Sequence, residues 1–160
     1  MEKGIYTLVL RLEADRVVEV GSLGPVLFSA GYYAYTGSAR GPGGLSRVKR
    51  HMRVMEGRNP ARRWHIDYLL PHAALVEVVA TRTEEDLECP IARLIGERLS
   101  AVRHFGCTDC RCSSHLHFSR DREEILSAVR SAHAPRPRPD SDEEDLPDDN
   151  RRKYKQAAEG

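Results

Sequence analysis

The stretch "GYYAYTGSARGPGGLSRVKRH", Gly31–His51, changes period in its middle. Three tyrosines among small and β-branched residues read as a strand, and four glycines and a proline between Gly37 and Gly44 read as a turn. Beyond it, Leu45, Val48, Met52 and Met55 recur at helical spacing. A strand that turns on glycine into a helix fixes a mixed fold, and the rest of the chain extends it.

Upstream, "GIYTLVLRLE" (Gly4–Glu13), "DRVVEVG" and "GPVLF" are rich in β-branched and aromatic residues and are punctuated by Asp15-Arg16, Gly21 and Gly24-Pro25. They predict an antiparallel meander of about three strands. Downstream, Gly57 and Pro60 end the first helix, and "RRWHIDYLL" predicts a short second one stopped by Pro71. "AALVEVVATR" is a further strand. Thr83 and Asp86 form a capping pair ahead of Leu87, Ile91, Leu94, Ile95 and Leu99, with Pro90 implying a kink or a later helix start. "HLHF" (His115–Phe118) is a short strand and Asp121 to Ala132 a last helix with Ile125, Leu126 and Val129 inward. The expected fold is α+β, a small central antiparallel sheet of about three or four strands flanked by helices.

A chain of 160 residues suits one domain with a real core. The expected boundaries are a folded domain over 1–133 and a disordered tail over 134–160, proline-rich, acidic and then basic, with almost nothing apolar to offset ordering entropy. The formal charge of +1 hides this partition. Residues 1–134 carry 19 Lys/Arg against 16 Asp/Glu, and Asp140–Asp149 alone hold seven carboxylates. Residues 40–63 hold eight basic side chains against Glu56, a local excess of +7 that suits a polyanion or, on the plainer reading, a solvated helix face. Without an apolar run of membrane-spanning length or a signal-peptide core, the expected location is cytoplasmic.

Hairpins bring Gly4-Ile5-Tyr6 beside Tyr35-Thr36-Gly37 and so place two phenols on one sheet face. Arg47 and His51 lie one helical turn apart and project together, away from the apolar Leu45, Val48 and Met52. A guanidinium and an imidazole beside two phenols make a phosphodiester cradle, for which Glu88 can supply a carboxylate. Each residue alone has an ordinary structural reading.

Together, in this order, they resemble the GIY-YIG endonuclease superfamily, and "GYYAYTGSA", "WHIDYLL", "LECPIA" and "FGCTDCRCSSHLHF" are similar to its Uri-type branch of small, mostly archaeal proteins. The resemblance covers residues 3–118. It implies a divalent-metal-dependent endonuclease acting on DNA, in repair or in processing of unusual structures. Tyr6 resembles the general base or its relay, Tyr35 the partner phenol, Arg47 the phosphate-holding arginine, His51 the group one turn on, and Glu88 the carboxylate for one Mg²⁺ or Mn²⁺. Arg40, Lys49, Arg50, Arg53, Arg62 and Arg63 are the expected nucleic-acid contacts. The middle residue of the second motif is Thr36 rather than isoleucine. The segment between Tyr6 and Tyr35 is longer than the family's and demands an extra hairpin. The alternative reading is a non-catalytic nucleic-acid-binding module in the same groove; a protein partner that supplies specificity is compatible with either.

Cys107, Cys110, Cys112, His115 and His117 crowd five donors into a short stretch. They read either as a structural Zn²⁺ site or as a metal-free packed loop. Cys89 reads as a small buried residue.

Overall fold

The computed structural model describes residues 2–106 and 113–135. Strands β1 (Gly4–Leu12), β4 (Gly31–Ala39), β5 (Ala74–Arg82), β6 (Ser100–Ala101) and β7 (Leu116–Ser119) form one sheet in the order β5-β1-β4-β7-β6. Every pairing is antiparallel. The α+β expectation holds, with one more strand than the upper end of the expected count. Ser100–Ala101 is too short to leave a periodic signal.

The expected meander is corrected. β2 (Arg16–Val20) and β3 (Gly24–Phe28) pair with each other in a separate two-stranded sheet, while β4 pairs directly with β1. The extra hairpin demanded by the long segment between Tyr6 and Tyr35 is this one.

In β1 every residue except Arg11 is buried, because helices cover both faces of the central strand. Tyr6, Leu8, Leu10 and Leu12 pack on one side with Val54, Ile66, Leu69 and Phe28. Ile5 and Val9 pack on the other with Ile91, Ile95, Ile125 and Val129. Each fully buried Leu, Ile or Val contributes roughly 1.5–3 kcal/mol.

Helices α1 (Arg47–Met55) and α2 (His65–Leu69) lie on the tyrosine side, and α3 (Glu88–Gly96) and α4 (Arg122–His133) on the other. α3 starts at Glu88, so Pro90 is its third residue, where the missing N–H would have had no partner within the helix. Asp121 caps α4 by accepting from the N–H groups of Glu123 and Glu124. The most buried face of α1 is not the one its apolar residues mark. His51 and Val54 are fully buried, whereas Leu45, Val48 and Met52 are half-buried. A hydrogen bond to the sheet pulls the imidazole inward. No helix among the described residues is long and apolar enough to cross a membrane. The tail beyond Pro135 and Cys107, Cys110 and Cys112 lie outside the described residues.

Candidate active site

Pairing of β1 with β4 sets Tyr6 opposite Gly37. The phenol lies across that glycine: a Cβ at position 37 would stand 2.5 Å from the Tyr6 hydroxyl and 2.6 Å from Cζ. Only a residue without a side chain admits the ring. Its hydroxyl is 2.6 Å from Nε2 of His51, which α1 carries into the core. Burial, with the Tyr35 phenol adding, pushes the Tyr6 pKa well above 10; Arg47 pulls the other way without prevailing. Burial lowers His51 to about 4, against the carboxylate of Asp67, which favours its charged form. The imidazole is therefore neutral, and the phenol and Nε2 share one hydrogen bond whose direction the ring tautomer sets. Nδ1 is buried and has no hydrogen-bond partner.

Tyr6, Tyr35, Arg47 and Glu88 line one cleft of about 350 Å³. Arg47 donates to the carbonyl of Ser38 at 2.6 Å and lays its guanidinium 4.8 Å from the centre of the Trp64 ring. The helix start at Glu88 sets that carboxylate on the opposite wall with its side chain a quarter exposed. Burial, with Asp86 adding, raises its pKa to about 7, and Arg47 and Arg40 lower it less than burial raises it. His115 Nδ1 stands 3.5 Å from the Glu88 carboxylate.

Burial holds this carboxyl near 7, so a cation bound at it would favour the charged form. No group of three or more His, Cys, Asp or Glu side chains able to hold a metal occurs among the described residues. Glu88, with Asp86 also lining the cleft, fits instead a hard divalent ion that takes few protein ligands and keeps its waters.

The expected catalytic residues are thus brought together, with His51 behind Tyr6 rather than beside Arg47 in the cleft. Of the expected nucleic-acid contacts, Arg40 lines the cleft, Lys49 and Arg53 are exposed on α1, and Arg62 and Arg63 are exposed ahead of α2. Arg50 also has a structural tie: it makes a bidentate pair with the fully buried Asp67 at 2.9 Å through both nitrogens, and it lies 4.4 Å from the Trp64 ring centre.

Sequence reasoning missed Asp67, which also accepts from the backbone N–H groups of Arg63 and Trp64 and so anchors the basic segment to α2. An aspartate in the first turn of an amphipathic helix was the available signal. It missed Trp64 as well, and it took Cys89 for a buried residue. Cys89 lines the cleft, its sulfur 3.7 Å from His115 Nε2. His117, on the α3 side of the sheet, would meet a Cβ at Gly96 within 2.9 Å. Burial lowers it to about 4.

Comparison with protein families matches residues 5–136 to the family described as "Domain of unknown function DUF123". No curated protein and no solved structure matches the chain.

Proposed function

We propose, for a chain that belongs to the DUF123 family, a divalent-metal-dependent endonuclease that hydrolyses phosphodiester bonds in DNA. On this reading the chain is a member of the GIY-YIG superfamily, Uri-type branch. The observation that carries the proposal is the Tyr6–His51 hydrogen bond at the base of a cleft whose walls hold Arg47 and Glu88. A buried phenol hydrogen-bonded to a neutral imidazole, at the base of a cleft that also holds a guanidinium and a carboxyl, suits a proton-transfer path.

Arg47 has the ion-pairing capacity to hold a non-bridging phosphate oxygen, since one arm is braced by Ser38 and its face by Trp64. Glu88 would hold the Mg²⁺ or Mn²⁺, which when bound would supply positive charge to the reacting phosphate. Tyr6 is the relay rather than the resting base, because burial keeps it a phenol. As attacking water gives a proton to the Tyr6 oxygen, the phenolic proton passes to His51 Nε2. Burial, Arg50 and Arg47 oppose the imidazolium and Asp67 favours it, so His51 holds the proton only transiently. Tyr35, in edge contact with the His51 ring at 6.1 Å, walls the path from solvent. The exposed Lys49 and Arg53 on α1, with Arg62 and Arg63 ahead of α2, add positive charge that attracts a polyanion to this part of the surface.

The second reading, a binding module in the same groove, rests on that basic surface alone. Nicking assays with Mg²⁺ or Mn²⁺ on duplex, flap, branched and mismatched DNA separate the two. The enzyme cuts at least one of them only when the ion is added; binding without cutting across the set leaves the binding module.

A further inference from the structure

A second cavity, of about 300 Å³, lies behind the cleft wall and shares Tyr35, Trp64 and Gly106 with the cleft. That volume is at the small end of ligand sites, which run from about 300 to 1,000 Å³. Its lining is aromatic with one cation: Tyr35, Trp64, His65 and Tyr68 with Arg63. The far wall is Gly21 and Ser22, in the short turn between β2 and β3. The hairpin that lengthens the chain between the two tyrosine motifs thus has a place beside the site.

Gly21 takes φ +45°, a backbone conformation that favours glycine, and the Tyr68 ring lies in ordinary contact with the turn, 3.5 Å from where a Cβ of residue 21 would stand. His65 Nδ1 accepts the N–H of Gly106 at 2.9 Å, and burial lowers the imidazole pKa, so the ring is neutral and carries its proton on Nε2 as a donor. Arg63 has its guanidinium 5.5 Å from the Trp64 ring centre. Aromatic faces with one imidazole donor and one guanidinium match a nucleobase, which stacks through its π-face and accepts through its carbonyl and ring nitrogens.

We propose that this cavity holds a nucleobase of the nucleotide next to the scissile phosphate, so that the substrate is a strand whose base is unpaired or extruded from the stack. The assignment deepens the nuclease reading and rests on it for the word scissile. Arg47, the phosphate ligand of that reading, touches the same Trp64 ring that walls the cavity. A phosphate in the cleft and a base in the cavity are therefore parts of one nucleotide unit. A base stacked and paired in a duplex cannot enter, and the energy of extrusion becomes the source of selectivity.

The chain contains one tryptophan, so its fluorescence reports on this wall alone. Full-length protein, without divalent ions so that no cutting occurs, is titrated with a short DNA single strand, with the same strand annealed to its complement, and with a strand of equal length built of abasic sites. The single strand should quench Trp64 and bind about tenfold tighter than the abasic strand, the increment of stacking one base. Tyr68→Leu should erase most of that difference while leaving abasic-strand affinity unchanged. Equal affinity and equal quenching by the single strand and the abasic strand would overturn the proposal, and the comparison needs no variant to fold. Because no cleavage is read, failure of the nuclease reading leaves this result standing. Conversely, cutting of fully paired duplex with no base-dependent quenching would sink the pocket and spare the nuclease.

Discussion

Tyr6 lies across Gly37, its hydroxyl 2.5 Å from where a Cβ of residue 37 would stand, and from there it reaches His51 at 2.6 Å. Two strands and a helix are locked by this one phenol. Tyr6→Phe removes the hydroxyl and leaves Nε2 of a buried imidazole unpaired, at a cost of about 1–3 kcal/mol in stability. Cleavage should fall by about a hundredfold or more, the usual worth of a proton-transfer group. Chemical denaturation and a nicking assay on the same preparation measure both, and a fully active Tyr6→Phe protein would rule out the relay.

Gly37→Ala tests the same relationship from the other side. Overpacking of this kind costs about 1–3 kcal/mol, and the ring can relieve it only by leaving His51. Activity should therefore fall with stability. Near-wild-type stability would mean that the two strands do not approach as described.

The strand-to-helix switch at Gly37–Gly44 was legible because local chemistry decides it, and so was the convergence of Tyr6, Tyr35, Arg47 and Glu88, which lie on regular elements with fixed periods. The inward turn of His51 was not. Helical periodicity ranks apolar residues as buried, and the imidazole is drawn in by a hydrogen bond from a strand far away in sequence. The pairing of Arg50 with Asp67 across a loop was hidden for the same reason. Trp64 looks like any packing aromatic until Arg47 and Arg50 are seen against its ring.

Asp67→Asn should cost about 3 kcal/mol, because it strips a buried guanidinium partner and weakens the tie of Arg63 and Trp64 to α2. In contrast, Arg53→Ala should leave stability within about 0.5 kcal/mol and lower the salt dependence of DNA binding by about one phosphate contact. Denaturation midpoints and binding titrated against salt concentration distinguish them. Loss of salt dependence in a stable Arg50→Ala protein would mark Arg50 as a binding contact as well.

Stability should also depend on pH in a particular window. His51 has its pKa lowered to about 4 by burial, against 6.5 in the unfolded chain. Between those values the unfolded state binds the extra proton, so stability rises with pH across the window and levels off above about 6.5. The His51 share is on the order of 3 kcal/mol, and His117, lowered likewise to about 4, acts in the same direction. Glu88, raised by burial to about 7, acts in the opposite direction over the same range, so the test uses Glu88→Gln: midpoints of that protein that do not change from pH 6.5 down to 4.5 would show that these imidazoles are not buried as neutral groups.

The central claim is that this cleft cuts rather than only holds. Glu88→Gln keeps the shape of the side chain and removes its charge, so DNA should bind as well as to wild type or slightly better. Changing a residue that merely supports a metal ligand costs about 10–100-fold, so cleavage with Mg²⁺ or Mn²⁺ should fall by more than about a hundredfold. The direct measurement is binding and nicking by wild type and Glu88→Gln on the same DNA. Retained binding with lost nicking is the predicted result; nicking unaffected by the substitution would contradict the account.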